Sequence, residues 1–121
     1  DVDVFNPRRA NWDSTWKQSA DNEQFAEQVV WELDALEDAT YKFFYFEAGS
    51  LSPVTMLEYG LHISDRDVIT VCPEGFWRRG NIEIVAKEYW ANARIHETLD
   101  SGVKELKHRL GPFNHETYLY K

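Results

Sequence analysis

Cysteine, positive charge and long apolar runs are all scarce in this sequence. The one cysteine, Cys72, excludes an intramolecular disulfide and argues against a cysteine-based zinc site. Such sparing use of cysteine is typical of a reducing compartment, so we expect the protein in the cytoplasm. No apolar stretch approaches the roughly 20 residues that span a bilayer, and we therefore expect no membrane partner.

The charge balance excludes a further class of partner. The formal net charge is −8, whereas a nucleic-acid binder normally carries a basic face. We interpret Arg8-Arg9 and Arg78-Arg79 as solvated charge, or at most as contacts to a small anion or a carboxylate. The four histidines lack metal-ligand spacing, so we assign no metal and no cofactor.

What the chain does contain is a regular alternation of apolar runs and amphipathic segments. Short apolar runs at residues 2–5, 41–46 and 67–72 predict strands, with a shorter strand at 94–95. Helical patterns follow each of them, and this alternation predicts an α/β fold, a parallel sheet with helices on both faces. We assign residues 1–111 to one domain and 112–121 to an aromatic C-terminal tail that packs on a neighbour.

Two details of the helices can be predicted from local signals. Asp21 and Gln24 fit a capping box at the start of the first helix. In the helix at residues 52–62, Val54, Leu57 and Leu61 recur at the spacing of a buried face.

Glu58 is the first candidate for chemistry. It follows Leu57 directly and borders the predicted buried face, so its carboxylate should point towards a crevice. A carboxylate held there can act as nucleophile, base or anchor. The alternatives are an ordinary solvated glutamate or an i,i+4 pair with His62.

The polar loop at residues 47–52 contributes three further candidates, Glu47, Gly49 and Ser52. The carboxyl end of a strand is where open α/β sheets bind ligands, so we assign Gly49 and Ser52 to substrate binding. Glu47 and Glu58 could divide the roles of acid and nucleophile. Strand-end acids are also common turn and cap residues, and Ser52 is the predicted N-cap of the next helix.

Asn6, Asp13 and Trp77 complete the candidate substrate-binding residues. Asn6 and Asp13 flank the exit of the first strand, where either residue could simply form an Asx turn. The ring of Trp77 could stack on a flat base, although it could equally belong to the core or a lid.

Five segments, taken in order, resemble the nucleoside 2-deoxyribosyltransferase-like proteins. They are NPRR at residues 6–9, WDSTW at 12–16, QVVWEL at 28–33, SPVTMLEYGLH at 52–62 and CPEGFWRRGN at 72–81. The likeness extends over nearly the whole predicted domain. Several linked motifs are more specific than any one of them.

The resemblance implies a flavodoxin-like fold and cleavage of the N-glycosidic bond of a 2′-deoxynucleoside. It also implies a homo-oligomer, since the family completes its sites across subunits. The family's nucleophile lies in a Glu-x-Gly context, which Glu58-Tyr59-Gly60 matches. The family's loop acid is usually an Asp before a Gly, and here Glu47, one methylene longer, stands at that position.

The sequence departs from the family pattern at its start. The family opens with one further strand, and this chain begins at what would be the second. That first strand is central in a flavodoxin-like sheet. We therefore expect a truncated sequence, another segment in the central position, or a remodelled fold.

Three functions remain open at this point. The first is transfer or hydrolysis through a covalent ester on Glu58. The second is non-catalytic binding of a nucleotide-like ligand, and the third is a structural role in an assembly. The exposure of Glu58 beside Glu47 should discriminate between them.

Overall fold

The computed structural model describes residues 3–5, 17–111 and 117–120. Within them, parallel strands and helices alternate along the chain. The strands are β1 (Asp3–Phe5), β2 (Tyr41–Tyr45), β3 (Val68–Val71), β4 (Ile95–His96) and β5 (Thr117–Tyr120). The helices are α1 (Glu23–Asp38), α2 (Pro53–His62), α3 (Arg79–Tyr89) and α4 (Leu99–Leu110), with a 3₁₀ turn at Ile63–Asp65.

The strands form one sheet in the order β1-β5-β2-β3-β4, and every pairing is parallel. The flavodoxin-like order is 2-1-3-4-5. The two orders coincide when β5 takes the place of the first strand. The predicted flavodoxin-like α/β fold is therefore confirmed, and of the three expectations for the central position the structure shows another segment filling it.

The segment is β5, which lies within residues 112–121, the predicted C-terminal tail. Thr117 pairs with Asp3 of β1, and Tyr118 pairs with both Val4 of β1 and Tyr41 of β2. Strand β5 therefore pairs with a neighbour on each side and is an interior strand of the sheet.

The sheet has a core on each face because neighbouring strand residues point in opposite directions. Phe44 packs with α1, α2 and α3 in one core, whereas Phe43 packs with Leu106 and Leu110 of α4 in the other. Phe43, Val68, Ile69 and Val71 are buried, as expected for apolar strands covered by helices on both faces, and Tyr45 is half-buried. Helices α1, α2 and α3, which connect β1 to β4, thus pack on one face of the sheet, and α4, which lies between β4 and β5, packs on the other.

Helix ends follow local capping chemistry, with one correction. The N-cap of α1 is Asn22, whose side chain accepts a hydrogen bond of 3.1 Å from the Phe25 amide. The predicted cap Asp21 instead accepts a hydrogen bond from Ser19, so the capping position moves one residue on. Thr98 caps α4 by accepting from the Ser101 amide, and Gly111 ends it with a positive φ of 71°.

The predicted buried face of α2 is wrong. Val54, Leu57 and Leu61 are exposed, and Leu57 keeps 67% of its surface. The physical reason is Tyr59, whose ring lies edge-on to Phe44 and Phe46 at centroid distances of 5.2 and 5.4 Å. One large aromatic side chain that fits between two others sets the rotation of the helix against the aliphatic pattern.

The tyrosine also explains the polar residues on that side of α2. Its hydroxyl is hydrogen bonded to Thr70 Oγ1 at 2.8 Å, so it is satisfied inside the core. Glu58 and His62 flank it along the helix and are buried with it. None of the helices among the described residues is both long and apolar enough to cross a membrane.

Candidate functional site

Two loops meet at the carboxyl-terminal edge of the sheet. One follows β2 at residues 46–52, and the other follows β3 at residues 72–78. The Trp77 Nε1 donates a hydrogen bond of 3.0 Å to the Leu51 carbonyl. A Cβ added at Gly75 would lie 3.4 Å from the Ala48 Cβ, in ordinary van der Waals contact. The loops therefore form one continuous rim beside the start of α2.

The loop after β2 is a tight turn with a left-handed residue at its end. The Ser50 amide donates to the Glu47 carbonyl at 3.0 Å. Ser52 has φ 49° and ψ 46°, a conformation uncommon for a residue with a side chain. Its hydroxyl lies 2.7 Å from the Ser50 hydroxyl.

Ser52 is the N-cap residue of α2, as predicted, but its side chain makes no capping hydrogen bond. Pro53 follows it as the first helical residue and has no N–H to offer. The two serine hydroxyls therefore bond each other and leave the start of α2 without a side-chain cap. A polar ligand placed at this rim would meet both hydroxyls.

Glu58 lies on the side of α2 that packs against the sheet, and only 3% of its surface is exposed. Side chains of a helix tilt towards its N-terminus, which here is the end that adjoins the rim. Burial of a carboxylate is costly, so packing alone does not account for it. The sequence pattern placed Glu58 at the border of a buried face, and the structure places it inside one.

Glu47 and Gly49 are exposed on the same rim. A Cβ added at Gly49 would meet no atom within 4 Å, so the space above this residue is open. The two candidate carboxylates thus differ in environment, Glu47 being solvated and Glu58 buried.

Trp77 keeps 52% of its surface exposed at the rim. The guanidinium of Arg78 lies 4.5 Å from the centre of its ring, a cation–π distance. The hydrogen bond to Leu51 fixes the indole against the loop after β2. The structure therefore brings together Glu47, Gly49, Ser52 and Trp77 at one rim, with Glu58 on the helix that starts there. Asn6 and Asp13 lie outside the described residues.

Arg79 makes the carboxylate contacts that the sequence left open for the arginine pair, and it fixes the loop after β3 to the loop after β4. Its guanidinium bonds the Cys72 carbonyl and forms ion pairs of 2.6 Å with Glu83 and with Glu97. Glu97 also accepts a hydrogen bond of 3.1 Å from the Glu74 amide. The loops after β3 and β4 are thus fixed to each other. The i,i+4 spacing of Arg79 and Glu83 was a readable signal for one of these pairs.

Cys72 is not a nucleophile in this environment. Its side chain is fully buried at the end of β3, and burial raises the pKa of the thiol to about 11. The thiolate, which is the reactive form, is therefore scarce at neutral pH. Cys72 is instead a small side chain of the core.

The rim can thus offer two kinds of group to a ligand, paired hydroxyls and an indole face, and the buried carboxylate of Glu58 lies on the helix that starts beside them. Among residues 17–111 and the short strand segments that the structure describes, no three His, Cys, Asp or Glu side chains form a metal-binding group.

Two comparisons with known proteins bear on this site. A family model described as nucleoside 2-deoxyribosyltransferase like matches residues 1–76, which is 76 of the 121 residues. The match includes the loop after β2, the whole of α2 and the loop after β3 up to Phe76. A search of curated proteins gives no match.

Proposed function

The chain belongs to the nucleoside 2-deoxyribosyltransferase-like family, and we propose that it cleaves or exchanges the N-glycosidic bond of a 2′-deoxynucleoside. The catalytic residue in this proposal is Glu58, and the rim formed by the loops after β2 and β3 holds the substrate. The family membership supports the reaction class, and the placement of the side chains supports the individual roles.

The observation that carries the proposal is the position of Glu58, which lies on the helix that starts at the rim and within the residues that match the family model. A carboxylate 3% exposed has little water around it, and a poorly solvated carboxylate is a stronger nucleophile and a stronger electrostatic partner for a nearby cation. An oxocarbenium-like sugar is such a cation. The matched Glu-x-Gly context of Glu58 agrees with this role.

The reaction proceeds in two displacements. A Glu58 carboxylate oxygen attacks C1′ of the sugar while the C1′–N bond breaks, and the base takes the electron pair of that bond. A glycosyl ester on Glu58 results. A nitrogen of a second base then attacks C1′ from the opposite face and releases Glu58 as a carboxylate, with net retention of configuration. Attack by water in this second step makes the enzyme a hydrolase.

Departure of the base requires a proton or a hydrogen bond, which Glu47 or Asp13 supplies in this proposal. Glu47 is exposed at the rim and so can reach a ligand bound there. The exposed indole of Trp77 offers a surface for the ring of the base. The hydroxyls of Ser50 and Ser52 offer hydrogen bonds to the sugar.

The second candidate function is non-catalytic binding of a nucleotide-like ligand at the same rim. The depth of Glu58 is the observation that favours it, because a carboxylate held among core side chains could have a structural role alone. In that case the exposed groups of the rim would bind the ligand and no bond would break.

Turnover separates the two functions. The protein is incubated with each 2′-deoxynucleoside, with and without a second base, and free and exchanged bases are separated by chromatography. We expect base release or exchange, lost by several orders of magnitude in both Glu58→Ala and Glu58→Gln. Glu47→Gln should retain more activity, because it assists departure without forming the ester.

The matched control is Glu88→Gln, an exposed glutamate of α3 away from the rim. It should turn over like the wild type. Circular dichroism checks that each variant is folded. Full activity in both Glu58 variants would contradict the covalent mechanism, and ligand binding without turnover in the wild type would support the binding function.

We further propose that the chain forms a homo-oligomer through α2. Its exposed residues Val54, Leu57 and Leu61 form an apolar stripe that continues into exposed Leu51 of the rim. A second copy seated there would cover the stripe next to the site, as the family resemblance implies. Light scattering should show an oligomer that the double variant Leu57→Asp/Leu61→Asp dissociates, and a wild-type monomer would contradict the proposal.

A further inference from the structure

A polar pocket lies between β4 and α4, on the face of the sheet opposite to α2. Its volume is about 250 Å³. We call it the β4–α4 pocket, and it is lined by the side chains of Arg94, His96, Ser101, Lys104, Glu105 and His108. Nothing in the proposed glycosidic chemistry uses these residues.

The floor of the β4–α4 pocket is a hydrogen-bonded chain. His96 Nδ1 lies 2.5 Å from the Ser101 hydroxyl, and His96 Nε2 lies 2.5 Å from Glu105 Oε1. The side chains of His96 and Glu105 are more than nine-tenths buried. These contacts fix the floor of the pocket between the strand and the helix.

Among the lining residues that the structure describes, Glu105 is the only carboxylate, and both of its oxygens already have partners. Glu105 Oε1 bonds His96, and its Oε2 lies 2.9 Å from Arg109 Nε. Its charge is thereby offset on the side away from the pocket mouth. Glu105 is therefore poorly placed to neutralise the cations at the mouth.

Those cations are Arg94 and Lys104, with the ring of His108 beside them. All three side chains are exposed, and no residue that the structure describes forms an ion pair with them. Lys104 and His108 stand at i and i+4 on α4, so their side chains share one face of the helix. In a chain with a net charge of −8, acidic partners are plentiful, yet none of those that the structure describes pairs with Arg94 or Lys104.

We propose that the β4–α4 pocket binds a phosphate group, either as inorganic phosphate or as a phosphomonoester. The planar fork of Arg94 and the point charge of Lys104 suit the oxygens of a phosphate. The ring of His108, which also lines the pocket, can provide a further hydrogen bond. A tetrahedral phosphate can accept from all three groups at once, whereas a carboxylate has only two oxygens to share among them.

Titration with two probes tests this site on the full chain. Inorganic phosphate and ribose 5-phosphate are titrated separately at constant ionic strength, with binding followed by calorimetry and by ³¹P NMR. Ribose without phosphate is the blank. Saturable binding of either phosphate probe, with none of ribose, is expected. Binding of the monoester alone would place the sugar in the pocket, and binding of both would place the phosphate alone there.

Substitutions locate the bound group. Arg94→Gln and Lys104→Gln should each weaken binding by about tenfold or more, since each removes a charge-assisted hydrogen bond. The matched control is Lys107→Gln, an exposed lysine on α4 that does not line the pocket. It should change the affinity by less than about twofold, the effect of one distant surface charge screened by salt.

Two results would overturn the proposal. One is the absence of saturable binding of either phosphate probe. The other is an equal loss in Lys107→Gln and Lys104→Gln, which would show diffuse attraction to the helix surface. Since Arg94 and Lys104 are exposed, both variants should keep the melting profile of the wild type. Neither result depends on activity at Glu58.

Discussion

Helices α2 and α4 bury opposite kinds of side chain against the same sheet. Helix α4 turns Leu106 and Leu110 inward and keeps its charged residues at the surface or paired at its edge. Helix α2 turns Glu58 and Tyr59 inward and leaves Leu57 exposed. Both are amphipathic, so the hydrophobic effect alone does not decide which face is buried.

The difference follows from what each helix meets on the sheet. Helix α4 meets an aliphatic and aromatic surface of Phe43, Ile69 and Val71, which leucines fill. Helix α2 meets Phe44 and Phe46, between which the Tyr59 ring fits edge-on, and Thr70, which bonds its hydroxyl. Glu58 is carried inward as the neighbour of that tyrosine. In this molecule the less apolar face is buried on the helix that starts at the candidate site.

The largest expected effect is the contrast between two leucines. Leu106→Ala should lower the free energy of unfolding by about 2–5 kcal/mol, because Leu106 is 5% exposed in the α4 core. At a protein concentration at which the chain is monomeric, Leu57→Ala should change it by less than about 0.5 kcal/mol, since its side chain is then largely in water. Urea denaturation measures both. Equal losses would show that α2 buries its aliphatic face after all.

A second contrast compares glycines on the two helices. A Cβ at Gly102 of α4 would collide with Val71 Cγ2 and lie 3.1 Å from Phe43 Cζ, so Gly102→Ala should destabilise by about 1–3 kcal/mol. Gly60→Ala on α2 meets no atom within 4 Å. It should stabilise by about 0.5–1 kcal/mol through helix propensity. The same sign at both positions in thermal unfolding would contradict the close approach of α4.

Tyr59, which sets the rotation of α2, should make the stability of the protein depend on pH in the alkaline range. Burial raises the pKa of Tyr59 from 10.0 to about 12, so the unfolded state loses this proton first as the pH rises. The stability that this group contributes is present below pH 10 and is lost as the pH rises through about 12. Tyr59→Phe should lower stability by about 1 kcal/mol at neutral pH and make the alkaline decline shallower.

Stability curves of the wild type and Tyr59→Phe across this range provide the check. Thr70→Val is the matched control, since it removes the hydrogen-bond partner and keeps the titrating group. Parallel alkaline slopes in the wild type and Tyr59→Phe would show that the hydroxyl is not buried.

The smallest expected effect concerns the stability of Glu58→Gln. A carboxylate buried for function contributes little to the fold, so the free energy of unfolding should change by less than about 1 kcal/mol, with either sign. A carboxylate buried in an essential ion pair would instead cost about 3–5 kcal/mol when its charge is removed. Denaturation of the variant distinguishes the two cases and so sharpens the contrast between the helices.

Much of the architecture could be predicted from local patterns. The continuous apolar run of β2 and β3 indicates strands covered on both faces, and the helices between them indicate parallel pairing. Thr98 and Gly111 are residue types that commonly cap helices, and they mark the two ends of α4 along the sequence. The position of the Asn22 cap differs by one residue, because Ser19 occupies the carboxylate of Asp21.

Part of the candidate site could be predicted from the sequence. A loop at the carboxyl end of β2 predicts a ligand edge, and Glu47, Gly49, Ser52 and Trp77 meet there. The burial of Glu58 could not be predicted, because periodicity favours the face with Leu57. The link from Arg79 to Glu97 joins residues far apart in sequence and leaves no local pattern.

The sequence by itself therefore determined the elements: which residues form strands and helices, where most of them begin and end, and that the strands run parallel. These properties depend on near neighbours along the chain. The tertiary structure decided which side of α2 is buried and which segment occupies the centre of the sheet. Both depend on the fit of distant surfaces, as when the Tyr59 ring fits between Phe44 and Phe46 or β5 pairs with β1 and β2.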